Sequence, residues 1–292
     1  MPLDDFHAIS GSKLFQKITI VGPGLLGTSL GMAIHARDSA MRISVWARRE
    51  ESRNACLQAS WCHEASDNLE EALSGSDLAV LCTPVVHLSE ILGKIGSILP
   101  ANCLLTDVGS TKAEICMTAE QAAIKNFVGS HPIAGSEKSG MDYADSALFE
   151  GRPCFVTPSE NTSVENADKI TAFWKWLGMR IIQVAPKEHD RILAQVSHLP
   201  HLLASALCNF LSKQSRACRE GAGQGLRDAT RIAAGSPKIW SDIAQHNSKE
   251  ILEALDLFSE EISQLKHIIA NQDFADLEKW LEEGKAFRDS IA

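Results

Sequence analysis

The run Lys17–Gly22 (KITIVG) is β-branched and apolar, and it leads straight into Gly22-Pro23-Gly24-Leu25-Leu26-Gly27 and then a helix-like stretch to about Ala36. A GxGxxG element between a strand and a helix leaves few options for the backbone. The first glycine permits a tight turn, the second lets the chain approach a pyrophosphate, and the third lets the helix pack closely on the sheet. The helix start at Leu25 and Leu26 presents free N–H groups and the positive end of the helix dipole to phosphates. Gly22, Gly24, Leu25, Leu26 and Gly27 are therefore expected to hold a dinucleotide.

The pattern continues as alternating strands and helices. Arg42–Arg48, Asp77–Pro84, Cys103–Ser110, Phe127–Pro132, Pro153–Thr157 and Arg180–Ala185 read as further strands. Near-continuous apolar strands separated by helices predict a parallel, doubly wound α/β sheet of the Rossmann type, covered on both faces. The character changes near Pro186. Residues 1–186 read as the dinucleotide-binding domain and 187–292 as an all-helical substrate and dimerisation domain. Long helices are expected over Leu193–Cys218, Trp240–Asn271 and Asp273–Ser290. In the second, Ile251, Leu255, Phe258, Ile262, Leu265 and Ile269 recur every three or four residues and make one apolar face.

The 292 residues are 45% hydrophobic and 22% charged, with a net charge of −9. That balance argues against a nucleic-acid partner, which calls for a basic face. No stretch reaches the roughly 18 apolar residues of a membrane span, and Met1–Lys13 lacks the apolar core of a signal peptide. A cytoplasmic location is expected. The eight cysteines form no CxxC pair and read as buried thiols rather than a disulfide framework or a zinc site.

The end of the second strand selects the cofactor. An NAD enzyme usually carries Asp or Glu there for the ribose 2′-hydroxyl. Here the chain reads Trp46-Ala47-Arg48-Arg49. Two guanidiniums can grip a 2′-phosphate, so NADP is favoured over NAD, with solvated surface charges as the bland alternative. Thr83-Pro84 closes the third strand at the carboxyl edge, where Thr83 either lines the nicotinamide side or simply ends the strand.

Ser110 and His131 follow adjacent strands at that same edge. They can bond to each other and to a substrate hydroxyl, and a neutral imidazole can accept a proton as hydride leaves the same carbon. His198 and His201 are three residues apart, but no third ligand sits at metal spacing, and no metal is expected. His189 reads as a helix-start residue, with a role near the nicotinamide left open. Arg231, in a segment ended by Gly235, suits bidentate capture of a carboxylate, or else a buried structural ion pair.

Four ordered blocks carry a more specific signal: TDVGST (Thr106–Thr111), GSHPIAGSEKSG (Gly129–Gly140), VSHLPH (Val196–His201) and RDATRIAAGSPKIW (Arg227–Trp240). Together they resemble the prephenate/arogenate (cyclohexadienyl) dehydrogenase family, from Lys17 to about Glu283. The resemblance implies NADP-dependent oxidative decarboxylation of prephenate or arogenate in tyrosine biosynthesis, by a homodimer open to tyrosine feedback at the active site. It implies His131 as acceptor for the ring hydroxyl, Ser110 orienting it, His201 on the substrate side chain and Arg231 on a carboxylate. Ser136, Trp240 and Ser197 would line the pocket, and Glu137, Arg227 and Asp228 would form a charged network at its mouth. A β-hydroxyacid dehydrogenase would instead need a catalytic lysine in the helical part. An NADP-sensing regulator would not need His131, Ser110 and Arg231 together.

Overall fold

The computed structural model describes residues 14–135 and 140–291. Its strands are β1 Lys17–Val21, β2 Arg42–Trp46, β3 Glu64–Ser66, β4 Leu78–Leu81, β5 Leu104–Asp107, β6 Phe127–Pro132, β7 Pro153–Thr157 and β8 Arg180–Gln183. They form one eight-stranded sheet in the order β3-β2-β1-β4-β5-β6-β7-β8. Helices α1 (Leu25–Arg37), α2 (Glu50–Gln58), α3 (Leu69–Leu73), α4 (Val85–Ile95), α5 (Ala113–Gln121) and α6 (Val164–Trp176) connect the strands.

The apolar runs form strands because both of their faces are covered, and the alternation of side chains divides them between two cores. Ile18, Ile20, Val45, Val80 and Val128 pack on one face with Phe173 and Trp174 of α6. Val21, Ala79, Leu81 and Leu105 pack on the other with Leu88 and Leu92 of α4 and Ile115 and Ala119 of α5.

Two features depart from the expected parallel sheet. The β6–β7 pair is antiparallel, with His131 opposite Phe155, while β7 and β8 are parallel to each other. The sequence run of β7 is as apolar as its neighbours, so direction was not written in it. The edge strand β3 has no apolar residues beyond Ala65 and is only half-buried, and so it carries no strand pattern.

From Pro186 onward the chain is helical: α7 (Pro186–Leu193), a π turn (Ala194–His198), α8 (Leu199–Ser212), α9 (Arg216–Glu220), α10 (Gln224–Thr230), a 3-10 turn (Arg231–Ala234), α11 (Pro237–His246), α12 (Ser248–Ala270) and α13 (Phe274–Ser290). Two of the expected long helices are therefore divided. Pro200 has no N–H to give and its ring crowds the turn before it, and the chain there makes the wider Leu199 N–H to Ala194 carbonyl bond. Asn247, with φ −129°, separates α11 from α12.

Much of the apolar face of the last two helices has no cover within one protomer. In α12 only Ile251 and Ala254 are buried, and in α13 no residue is. Ile262, Ile269, Phe274, Leu281 and Phe287 are 48% to 67% exposed. Helices gain most of their stability from packing such a face, and exposed patches of this kind mark contact surfaces. Among the described residues no helix is long and apolar enough to cross a membrane. The reading of all eight cysteines as buried needs correction: Cys208 and Cys218, on α8 and α9, are exposed.

Candidate active site

The glycine-rich turn is built by close contact. Gly22 has φ +100°, and a Cβ there would lie 2.7 Å from the Thr83 side chain; a Cβ on Gly27 would collide with the Gly22 carbonyl oxygen. Only glycine fits either place. Gly24, by contrast, faces open space. Helix α1 starts there with no side chain capping it and no acidic residue in its first turn. An uncapped helix start beside an open glycine fits an anion. Thr83 Oγ1 is buried beside the turn without a hydrogen-bond partner among the described residues, which leaves it available to a bound group. These features fit a dinucleotide.

At the end of β2 the side chains of Arg48 and Arg49 are exposed and form no ion pair among the described residues. Arg53 is committed elsewhere. It donates to the carbonyls of Ala47 at 2.9 Å and Arg48 at 2.8 Å and pairs with Asp67 at 3.0 Å.

Beneath the carboxyl edge lies a polar core that sequence reasoning missed. Asp107 and Lys112 are both fully buried and form an ion pair. The Asp107 carboxylate also accepts N–H bonds from Gly109 at 2.8 Å and Ser130 at 3.2 Å. Ser130 Oγ donates to the Asp107 carbonyl at 2.6 Å and accepts from Trp174 Nε1 at 2.9 Å. Burial raises the Asp107 pKa, and the Lys112 ammonium opposes the rise. This core pins the ends of β5 and β6 together directly below His131.

His131 Nδ1 lies 3.0 Å from His189 Nε2, and His189 Nδ1 lies 2.8 Å from Asp190 Oδ1. Phe155, opposite His131 on β7, stands edge-on to the His189 ring with centroids 5.1 Å apart. The Asp190 carboxylate receives the Lys112 N–H at 2.7 Å and the Ala113 N–H at 2.9 Å, at the start of α5. Asn247 Nδ2 donates to the Asp190 carbonyl at 2.8 Å and reaches His198 Nδ1 at 3.1 Å. The His198 ring meets Trp240 edge-on at 6.2 Å, and Trp240 stacks on His201 at 3.6 Å. His131 of the sheet and His201 and Trp240 of the helical part thus belong to one connected cluster.

The histidines in it are held neutral. Burial lowers the His131 pKa well below the usual value, with help from His189 and Lys112. Burial likewise lowers His189 to about 2 and His198 to about 4. The unfolded chain therefore binds more protons than the folded one below pH about 6.5. Stability should fall as pH drops through that window, by up to about 1.4 kcal/mol per pH unit for each histidine. Asp107 and Asp190, raised by burial, act in the opposite sense closer to the usual carboxylate range. The urea midpoint should be clearly lower at pH 5.5 than at pH 7.5. An equal or higher midpoint would contradict the buried neutral state.

The other expected residues are placed as follows. Ser110 and Ser197 are half-buried. Among the described residues His131 Nδ1 bonds with His189 Nε2 rather than with Ser110. Arg231 is exposed in the 3-10 turn and forms no ion pair among the described residues, unlike the structural pair held open for it. That turn ends at Gly235, where a Cβ would touch Trp240 Nε1 at 2.6 Å and His201 Cε1 at 3.1 Å, so the turn abuts the His201–Trp240 stack. Arg227 is exposed, and Asp228 bonds with Gln224 at 2.8 Å rather than with Arg227. Ser136 and Glu137 lie outside the described residues. A cleft of about 710 Å³ between α5 and the start of α6, lined by Glu120, Asn126, Thr157 and Asn161, contains none of these residues.

The chain matches the family model for the prephenate dehydrogenase nucleotide-binding domain over residues 30–183 and that for the prephenate dehydrogenase dimerization domain over residues 185–283. It belongs to the prephenate dehydrogenase family. Within that family it is 32% identical over 266 residues to the cyclohexadienyl dehydrogenase of Zymomonas mobilis, covering 89% of this chain and 90% of that one. It is similar to the crystal structure of Aquifex aeolicus prephenate dehydrogenase in complex with hydroxyphenyl propionate and NAD+ (TM-score 0.89, 30% identity, 95% of this chain and 98% of that one). It is also similar to Synechocystis arogenate dehydrogenase (TM-score 0.85, 28% identity, 94% and 100%). The protein is thus an enzyme of the prephenate, arogenate or cyclohexadienyl dehydrogenase type with a nucleotide-binding domain, as the resemblance in its four sequence blocks implied.

Proposed function

We propose that the chain catalyses the NADP-dependent oxidative decarboxylation of prephenate, arogenate or both, with His131 as the acceptor for the ring hydroxyl. The observation that carries this reading is a neutral imidazole at the carboxyl end of β6, with Nδ1 engaged by His189, in the same cluster as His201 and Trp240. The substrate is a cyclohexadienol with a carboxylate on the ring carbon opposite the hydroxyl. His131 Nε2 accepts the hydrogen bond from that hydroxyl and draws off its proton as the C4–H bond breaks. A dinucleotide held through its pyrophosphate at Gly22, Gly24 and Gly27 would supply the hydride acceptor. The bond to the carboxylate then breaks, carbon dioxide leaves, its electron pair enters the ring, and the phenolic oxygen recovers the proton. Aromatisation favours the products, so the enzyme's task is to orient the reactants and supply a base.

Arg48 and Arg49 support NADP. Both are exposed and form no ion pair among the described residues that would compete with a 2′-phosphate, and paired guanidinium bonds to phosphate are strong. Arg231 supports capture of a substrate carboxylate. Its guanidinium makes no ion pair among the described residues, and its turn abuts the His201–Trp240 stack. Arg231→Gln should raise the KM for the substrate about 10- to 100-fold, the worth of a lost charge-assisted bond, and leave kcat within a few-fold. A large fall in kcat at unchanged KM would contradict the anchoring role.

The uncovered faces of α12 and α13 support a homodimer. Tyrosine shares the product's ring and charged side chain, so feedback by competition at the active site fits the same pocket. The decisive comparison is steady-state kinetics of prephenate and arogenate, each with NAD+ and NADP+. Turnover of at least one substrate with a clear preference for NADP+ is expected. Turnover of neither substrate would overturn the reading, and a preference for NAD+ would overturn the role of the two arginines.

A further inference from the structure

We propose that Asp190 and His189 are positioning residues that fix the tautomer of His131, with the proton on Nδ1 and the lone pair on Nε2. The argument runs along one chain of hydrogen bonds. Both oxygens of Asp190 are held by main-chain donors, Oδ1 by the Lys112 N–H at 2.7 Å and Oδ2 by the Ala113 N–H at 2.9 Å. These N–H groups belong to the N-cap and the first residue of α5, where the helix dipole favours negative charge. Two such bonds favour the ionised carboxylate. Burial pushes this carboxyl up from its usual range, and the two N–H bonds and the Lys112 ammonium pull it back. A carboxylate only accepts. The contact of 2.8 Å between Asp190 Oδ1 and His189 Nδ1 therefore requires a proton on His189 Nδ1.

His189 is neutral, because burial depresses its pKa to about 2, so its Nε2 carries a lone pair. The contact of 3.0 Å between that nitrogen and His131 Nδ1 then requires the His131 proton on Nδ1. His131 Nε2 is left as the basic nitrogen. Asp190 thus determines, two rings away, which nitrogen of His131 accepts. Phe155 packs edge-on against His189 at an interplanar angle of 90°, and Asn247 holds the Asp190 carbonyl. Both restrain the relay against rotation. The contribution is orientation, with no net proton transfer through the relay.

The consequence for turnover rests on the function proposed above, but the tautomer can be read without it. The test is nitrogen-15 NMR of the full-length protein with labelled histidine, with the His131 signals identified by their loss in His131→Asn. The wild type should show a protonated Nδ1 and an unprotonated Nε2 on His131. Asp190→Asn can turn its amide toward His189 and reverse both rings, so His131 should become protonated on Nε2. Its kcat should fall on the order of 10²–10⁴-fold, the cost of a wrong tautomer, with KM for the cofactor unchanged.

His189→Gln offers an acceptor to His131 and a donor to Asp190, and should keep kcat within about tenfold. His189→Leu offers neither and should lose as much as Asp190→Asn. Rescue by Gln but not Leu is a result that a merely structural role would not give, and it remains readable if Asp190→Asn fails to fold. A wild-type His131 protonated on Nε2, or equal activity in the Gln and Leu variants, overturns the proposal. Absence of turnover with either substrate in the wild type would instead overturn the functional reading and leave the NMR result standing.

Discussion

Replacing His131 by asparagine should lower kcat on the order of 10²–10⁴-fold while leaving the affinity for NADP+ nearly unchanged. The first part follows from chemistry. The substrate hydroxyl must share its proton as hydride departs, and His131 is a neutral imidazole at the strand edge where the dinucleotide cradle also opens. Asparagine can still pack against β7 and bond with His189, but its carbonyl oxygen is a far weaker base. The second part follows from geometry. The cradle is made by Gly22, Gly24 and Gly27 with the start of α1, and none of these residues bonds to His131. Single-turnover kinetics and a fluorescence titration with NADP+ measure the two parts separately. Unchanged turnover would remove His131 from the mechanism. A parallel loss of cofactor affinity would show that the substitution had disturbed the sheet edge instead.

Replacing Lys112 by methionine should destabilise the fold by about 3–5 kcal/mol, the usual cost of breaking a buried ion pair from one side. Asp107 would remain fully buried with, among the described residues, only the Gly109 and Ser130 N–H groups to balance its charge. It would protonate or draw in water, and either response loosens the junction of β5 and β6. Asp107→Leu combined with Lys112→Met should recover much of the loss, since no charge is then stranded. Urea unfolding at pH 7.5 provides the comparison. A loss below about 1 kcal/mol in the single variant, or no recovery in the double, would contradict the account of this pair. The substitution also removes a positive charge that helps to lower the pKa of both His131 and His189. The acidic limb of the activity profile should therefore move to higher pH.

How much of this was legible in the sequence depended on the range of each interaction. The cradle and the central strands were readable because their patterns are local: a GxGxxG element after a β-branched run, and apolar residues buried on both faces. The antiparallel turn of β7 and the short polar edge strand β3 were not, since neither leaves a mark on hydrophobic spacing.

The site divided the same way. His131, His201 and Trp240 stood out through their surrounding blocks, and one connected cluster holds all three. His189 and Asp190 looked like an ordinary solvated helix start in Lys187-Glu188-His189-Asp190. Their partners lie 58 and 78 positions away in the chain, beyond any local pattern. One signal was present. His189 and Asp190 precede Leu193 and Ala194 by four residues and share their buried face, and two polar residues on such a face ask for partners. Lys112 and Asn247 offered no comparable cue. Asn247 sits where a helix cap is expected, yet its side chain reaches across to Asp190 and His198.

The central claim is that hydride loss and decarboxylation are two halves of one reaction at His131. The most direct measurement is the stoichiometry of a single assay, in which reduced cofactor and released carbon dioxide are followed together with prephenate or arogenate and NADP+. The account predicts one carbon dioxide per reduced cofactor, with both lost in parallel in His131→Asn. Cofactor reduction without carbon dioxide, or full turnover in that variant, would contradict it.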